Sequence, residues 1–199
     1  MSAGTHALME AVHDVARLAG GVALRYFRKN VAVERKADGS EVTIADRSAE
    51  EAARAWIDTH FPNDGILGEE LQALDRSGER RWYIDPIDGS RSFVRGVPLW
   101  GSMVAVEDHG TVLAGAIFCP AVDEIVVAAR GAGCWHNGVR TLVSTVGSLG
   151  DATILATEGR HGQDAVCVVG GGGLTNEKPH LLDQFARVTL GTAQRRDRQ

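Results

Sequence analysis

The sequence has few cysteines, no excess of basic residues and no long apolar run, and each of these absences excludes a class of protein. The cysteines are odd in number and widely spaced, with no Cys-x-x-Cys pair: Cys119, Cys134 and Cys167. We therefore expect reduced thiols in a cytoplasmic protein. The net charge of −5 argues against a nucleic-acid partner. We expect no membrane span, because no stretch is long and apolar enough, and no signal peptide, because the first residues lack its basic and apolar parts.

Two further motifs are incomplete. The four glycines at 170–173 lack the Gly-Lys-Ser/Thr that completes a phosphate-binding P-loop, so a flexible connection is favoured there. His109 and His136 lie at the predicted turns Asp108-His109-Gly110 and Asn137-Gly138, and they lack the paired spacing of a zinc site. The sequence therefore offers no nucleotide-binding loop and no zinc ligand set.

What the sequence does contain is the pattern of a folded α+β domain. Hydrophobic residues make up 44% of the chain, enough for a core. Apolar residues at helical spacing predict helices at 5–27 and 43–60. Short apolar runs separated by turn signals predict strands after them, at 66–67, 82–84, 102–107, 111–118, 124–129, 134–135 and 152–157. Helices followed by hairpin-linked strands predict α+β layers rather than βαβ units. We expect one domain at 1–157 and a remnant or divergent unit at 158–199.

The most informative segment follows the apolar residues 82–84 and reads Asp85-Pro86-Ile87-Asp88-Gly89-Ser90. Pro86 lacks an N–H and has a fixed φ, so it is expected to end the strand. Asp85 and Asp88 can then point into one small volume. Residues 90–94 are predicted to form a helix, and backbone N–H groups at a helix start attract phosphate. Carboxylates for a hard cation beside N–H groups for an oxyanion indicate metal-assisted phosphate chemistry.

This segment, together with Gly68-Glu69-Glu70, resembles the inositol monophosphatase family of magnesium-dependent, lithium-sensitive phosphomonoesterases. The run from Arg91 to Trp100 is more similar to the branch that hydrolyses histidinol phosphate than to the inositol branch. The resemblance extends from Thr5 to Thr157. It implies a layered α/β sandwich, Mg²⁺ as the cofactor, a small phosphorylated metabolite as the substrate and a homodimer. In the histidinol branch, the role would lie in histidine biosynthesis.

The resemblance also implies a metal site and a catalytic pair. The metal ligands would be three carboxylates and one carbonyl: Glu69, Asp85, Asp88 and the backbone oxygen of Ile87. Ser90 stands where the family usually has threonine and keeps its hydroxyl. With Glu69 as its partner, that hydroxyl would orient the metal-bound water or help to deprotonate it.

Phosphate binding is implied for Asp88 and for the backbone of Gly89 and Ser90. Arg95 would position the substrate or an acidic neighbour, and an ordinary salt bridge is an equal alternative. Asp46 matches a further acidic position of the family, near the attacking water and an additional, weaker metal. Capping of a helix is the alternative for Asp46.

Three other features leave alternatives open. The polar segment 35–40 is a candidate mobile loop, in which Lys36 and Asp38 would belong either to a flap over the metals or to a solvated linker. Glu70 is expected beside the ligands or in solvent. Trp100 is expected in the core.

One family ligand has no counterpart in this sequence. The family places a further aspartate in a Trp-Asp-x-Ala-type motif, but every tryptophan lies upstream of residue 136, and the later aspartates lack suitable neighbours: Asp164, Asp183 and Asp197. The sequence thus predicts incomplete C-terminal layers, from a truncated, frame-shifted or shortened chain. Three functions stay open: hydrolysis of histidinol phosphate, the same chemistry on inositol-1-phosphate or a broader set of phosphate esters, and a non-catalytic relative that binds metal or phosphate.

Overall fold

The computed structural model describes residues 3–37, 39–143, 153–155 and 167–169. The helices are α1 (Ala3–Leu24), α2 (Ile44–His60) and α3 (Ser90–Val94). The strands are β1 (Val33–Arg35), β2 (Glu41–Thr43), β3 (Gly65–Gly68), β4 (Arg80–Asp88), β5 (Gly101–Asp108), β6 (Thr111–Cys119), β7 (Glu124–Ala129), β8 (Gly133–His136), β9 (Val139–Thr141), β10 (Thr153–Leu155) and β11 (Cys167–Val169). The predictions for Asp38, the glycines at 170–173 and the later aspartates concern positions outside the described residues.

A seven-stranded sheet forms the centre of the fold, in the order β3-β4-β5-β6-β7-β8-β9. Only β3 and β4 are parallel, and every later neighbour in this sheet is antiparallel. The hairpin turns His109-Gly110 and Asn137-Gly138 have positive φ at both residues, as two-residue turns between twisted strands require. Two separate pairs, β1-β2 and β10-β11, complete the described strands. The predicted α+β class is confirmed.

The core lies between one face of the sheet and the helices α1 and α2. Both helices present mainly small side chains to the sheet, with Val12, Val15 and Ile57 as their fully buried larger members. Small residues allow the helices to approach closely: a Cβ added at Gly20 would lie 2.5 Å from the Phe118 ring. Burial of this face is the main stabilising term of the fold. Within the described part of the chain, no helix combines the length and apolar character needed to cross a membrane.

The prediction that Pro86 ends its strand is wrong. Strand β4 continues through Pro86 to Asp88, and its pairing with β5 changes register there: Asp85 faces Met103, whereas Asp88 faces Gly101. Three steps along β4 therefore match two along β5, which is a β-bulge. Proline is tolerated at a bulge because the extra residue makes no ladder hydrogen bond. The bulge redirects the chain at the predicted site.

The described residues of the polar segment 35–40 lie at the end of β1 and in its connection to β2, with which β1 pairs antiparallel. The ends of this connection are tied by the Lys36 N–H, which donates to the Ser40 carbonyl at 2.9 Å. Helix α2 begins directly after β2, with Thr43 as its N-cap. The hairpin therefore leads from the Lys36 turn into the helix that carries Asp46. A flap function for this turn stays a prediction.

Candidate active site

The parallel pair β3 and β4 brings three of the predicted carboxylates to one edge of the sheet. Gly68 pairs with Ile84, and the Glu69 N–H donates to the Ile84 carbonyl at 3.2 Å. Asp85, only 6% exposed, follows Ile84 and so lies beside Glu69. Burial, the negative charges of Glu69 and Asp88 and a hydrogen bond to Glu69 raise the pKa of Asp85 well above its ordinary value. Glu69, Asp85 and Asp88 thus form one electrostatically coupled group.

Side-chain hydrogen bonds hold the bulge that aims these carboxylates. The Ile87 N–H donates to Asp85 Oδ1 at 3.1 Å, and Ser90 Oγ donates to the Ile87 carbonyl at the same distance. From the neighbouring strand, the buried Ser102 Oγ donates to the Pro86 carbonyl at 2.6 Å. The bulge is therefore fixed by its own residues and by β5.

Removal of the Ser102 hydroxyl should loosen this bulge. We expect Ser102→Ala to lower the free energy of unfolding by about 1–3 kcal/mol, because the buried Pro86 carbonyl loses its hydroxyl donor. Urea unfolding measures the change, and Ser92→Ala on the short helix α3 is the comparison. A stability loss no larger than that of Ser92→Ala would show that the hydrogen bond contributes nothing.

Gly89 forms the corner between the bulge and α3. Its φ of +87° is a left-handed conformation that favours glycine, and an added Cβ would lie 2.9 Å from the Leu99 carbonyl. Helix α3 starts at the next residue, Ser90, as predicted. Gly89 therefore lets the backbone turn sharply at the position where the resemblance implies phosphate binding.

Asp46 lies near the same group and also caps α2. Its Oδ2 accepts hydrogen bonds from the backbone N–H and the hydroxyl of Thr43, both at 2.8 Å. Burial raises the pKa of Asp46, and the negative charge of Glu69 adds to that shift. The capping alternative is thus confirmed, and the carboxylate is also within electrostatic reach of Glu69.

Lys36 brings a positive charge to the carboxylates. Its Nζ lies 3.0 Å from Glu69 Oε1 and 2.7 Å from Glu70 Oε1. Burial lowers the pKa of Lys36, but its hydrogen bonds to these two carboxylates outweigh that effect and the net shift is upward. Burial also raises the pKa of Glu70. Glu70 therefore lies beside the proposed ligand Glu69, in a partly buried ion pair.

Arg95 and Trp100 occupy structural positions. Arg95 forms an ion pair with Glu41 at 3.0 Å and donates to the Arg91 carbonyl at 2.9 Å, so the salt-bridge alternative is confirmed. The pair ties α3 to β2. Trp100 is 3% exposed and packs edge-on against Phe93, as expected for a core residue.

The sequence reasoning missed two residues of α2. Glu50 is fully buried, and its carboxylate accepts hydrogen bonds from the backbone N–H groups of Glu70 (2.7 Å) and Leu71 (3.3 Å). Arg54 lies 2.7 Å from Glu50 and donates to the Leu71 carbonyl at 3.2 Å. The signal was present: Asp46, Glu50 and Arg54 recur every four residues on a helix face that is otherwise mostly alanine.

The donor set at this edge of the sheet fits a hard divalent cation. Burial, followed by the negative charges of Glu69 and Asp88, raises the pKa of Asp85, so a cation beside these carboxylates would stabilise the ionised form. Carboxylate and carbonyl oxygens are the ligands that Mg²⁺ prefers. A different group, Glu79, Asp108 and His109, also has ligand atoms within 4.8 Å of one another. It lies at the opposite end of β4, where Arg80 pairs with Asp108, and is not part of this site.

Comparisons with known proteins agree with this architecture. Residues 5–167 match the inositol monophosphatase family. A histidinol-phosphatase of Chlorobaculum parvum is 44% identical over 146 residues, which are 73% of this chain and 56% of that protein. An inositol-1-monophosphatase of Mesorhizobium japonicum is 36% identical over 141 residues, 69% of this chain and 53% of that protein.

A solved structure matches the fold as well. The extragenic suppressor protein suhB of Bartonella henselae superposes with a TM-score of 0.67 at 31% identity, over 70% of this chain and 55% of that one. The chain thus spans about half the length of the relatives that it matches.

Proposed function

The chain belongs to the inositol monophosphatase family, and from this membership we propose that it hydrolyses a small-molecule phosphate monoester in a magnesium-dependent reaction. The observation that carries the proposal is the coupled group of Glu69, Asp85 and Asp88 beside the Gly89 corner. A carboxylate cluster next to a glycine-relieved helix start combines cation ligands with room for a phosphate.

Each residue of the site has a proposed role. Glu69, Asp85, Asp88 and the Ile87 carbonyl would hold Mg²⁺, which supplies charge neutralisation for the phosphate and acidifies a water molecule. Glu69 would accept a proton from the attacking water. The Ser90 hydroxyl donates its hydrogen to the Ile87 carbonyl. The lone pairs of Ser90 Oγ would therefore accept a hydrogen bond from that water and orient it.

The remaining proposed residues act around this centre. The backbone of Gly89 and Ser90 would bind the phosphate, with Asp88 beside it, and Asp46 would hold charge near the water. Arg95 would act indirectly, since its guanidinium pairs with Glu41 and ties α3 in place. No residue here is needed as a covalent nucleophile.

Histidinol phosphate is the substrate that we propose, within histidine biosynthesis. The run from Arg91 to Trp100 resembles the histidinol branch, and a histidinol-phosphatase is among the relatives, at 44% identity. Inositol-1-phosphate is the alternative, because an inositol-1-monophosphatase is also similar, at 36% identity. A homodimer and a cytoplasmic location, expected from the resemblance and the composition, are further proposals.

A substrate panel tests the activity. We expect phosphate release from histidinol phosphate with Mg²⁺, no release with chelator, and a kcat/KM about tenfold lower for inositol-1-phosphate, a difference that pocket contacts can supply. A preference for inositol-1-phosphate would overturn the substrate assignment. No release on any ester from a folded protein that binds Mg²⁺ would overturn the enzymatic proposal and favour a non-catalytic binding role.

A further inference from the structure

The turn that carries Glu69 is clamped by helix α2. Both oxygens of the Glu50 carboxylate are engaged: Oε2 accepts from the Glu70 N–H, and Oε1 accepts from the Leu71 N–H and from Arg54 Nε. Arg54 Nη2 donates to the Leu71 carbonyl, so Glu50 and Arg54 together bind both the backbone N–H and the carbonyl of Leu71. The turn after β3 is thus fixed by a side-chain pair from a helix about 20 residues earlier in the chain.

Gly68 shows how closely the clamp fits. A Cβ added at Gly68 would collide with the carbon and an oxygen of the Glu50 carboxylate. Space for the Glu50 carboxylate therefore depends on a glycine immediately before Glu69. A fully buried carboxylate is costly unless it is paired and hydrogen-bonded, and here both conditions are met.

The clamp acts on the residue that must aim its side chain at the metal centre. The Glu69 backbone is fixed on one side by its hydrogen bond to the Ile84 carbonyl and on the other by the clamped Glu70 N–H. Its side chain is then directed toward Asp85 and Lys36. Ligands that are oriented in this way bind metal more tightly, because less conformational freedom is lost on binding.

We propose that Glu50, supported by Arg54, is a positioning residue for the metal centre, which fixes the 68–71 turn and thereby sets metal affinity through Glu69 without touching the metal. This inference rests on the proposed function, because it requires that Glu69 is a metal ligand. It adds a second residue of α2, besides Asp46, to a site whose proposed metal ligands lie at the ends of β3 and β4.

Mn²⁺ binding, followed by the paramagnetic resonance signal of the free ion, tests the proposal without catalysis. We expect Glu50→Gln to weaken Mn²⁺ binding about tenfold, the usual effect of removing a partner that orients a ligand. Glu51→Gln, one residue away and exposed, is the matched control and should change the affinity less than about twofold. In a Glu69→Gln background, Glu50→Gln should add less than about twofold, because its effect passes through Glu69.

The outcomes separate the two levels of the argument. No Mn²⁺ binding by the unmodified chain overturns the proposed metal site and this inference together. Binding by the unmodified chain with an unchanged affinity in folded Glu50→Gln overturns only the positioning role, as does an equal tenfold loss in the Glu69→Gln background. If Glu50→Gln does not fold, Arg54→Lys replaces it: weaker binding supports the clamp, and unmodified affinity overturns it.

Hydrogen exchange gives a readout at the turn itself. In Glu50→Gln, the amides of Glu70 and Leu71 should exchange at least about tenfold faster, while those of Val104 and Val106 in the interior strand β5 stay protected. Uniformly faster exchange at all four amides would indicate general destabilisation and overturn the positioning role.

Discussion

Asp88→Asn should abolish magnesium-dependent phosphate release, with kcat/KM lowered about a thousandfold, while the protein stays folded. Asp88 ends β4 directly before the Gly89 corner, and its charge helps to raise the pKa of Asp85. Asparagine keeps the size of the side chain and one oxygen but removes the negative charge that attracts the cation. Turnover should fall far more than stability, because the substitution leaves the packing of β4 unchanged.

The matched control for this variant is Asp123→Asn. It removes the same charge from an exposed side chain that pairs only with Arg17 among the contacts described, so turnover should be unchanged. Phosphate release and circular dichroism are measured on both variants. Retained turnover in folded Asp88→Asn would remove Asp88 from the site, and an equal loss in Asp123→Asn would show that the effect does not come from the site.

Local sequence was enough to predict the features that depend on neighbours along the chain. The turns His109-Gly110 and Asn137-Gly138 were identifiable because glycine takes positive φ readily and the flanking runs are apolar. The start of α3 after Gly89 followed from the same backbone argument. The closeness of Asp85 and Asp88 needed only a kink between them. These predictions rest on conformations that a few consecutive residues determine.

The misplaced end of β4 shows where that reasoning stops. Proline was taken to end the strand, yet the strand continues because β5 tolerates an extra residue opposite it. The hydroxyl of Ser102, 16 residues away, then secures the Pro86 carbonyl. Whether a proline ends a strand or lies in a bulge is decided by the partner strand, which the local sequence does not specify.

The polar partners of the site were equally beyond local reasoning. Lys36 pairs with Glu69 across 33 positions, and Glu50 reaches Glu70 across 20. Residue types at these positions are visible in the sequence, but many acidic and basic residues could pair. Its position on an alanine-rich helix face, with Asp46 and Arg54 four residues away on either side, was the signal that separated Glu50 from the exposed Glu51. A charged residue on an apolar helix face indicates a buried partner.

The carboxylates that would bind the metal are expected to lower the stability of the metal-free protein. Asp85 is buried beside two other carboxylates, and its raised pKa means that its ionisation opposes folding. At this carboxyl, the folded state therefore keeps a proton that the unfolded chain loses between the ordinary pKa of 3.8 and the raised value. The contribution of Asp85 to metal-free stability should fall as the pH rises through that window. A bound cation would offset the repulsion.

Asp85→Asn should be more stable than the unmodified chain without metal and less stable than it with bound metal. Asparagine can keep the hydrogen bond from the Ile87 N–H and can donate its amide to Glu69, so the variant loses the repulsion without leaving a buried polar group unpaired. At about pH 8, we expect the metal-free variant to be more stable than the unmodified chain, and the difference to vanish toward about pH 4. With Mn²⁺ at a hundred times its dissociation constant, only the unmodified chain should gain about 2.7 kcal/mol.

Thermal unfolding at several pH values, with Mn²⁺ and with chelator, measures this reversal. Asp75→Asn is the control, because its exposed carboxylate pairs with Arg81 at the surface, away from the cluster, and should leave both curves unchanged. If metal-free Asp85→Asn is less stable than the unmodified chain at every pH, Asp85 stabilises the fold and does not destabilise it. An equal gain from Mn²⁺ in both proteins would place the bound ion elsewhere. The predicted reversal requires that one carboxylate, that of Asp85, both opposes folding in the metal-free protein and binds the cation. The proposed site makes the same requirement.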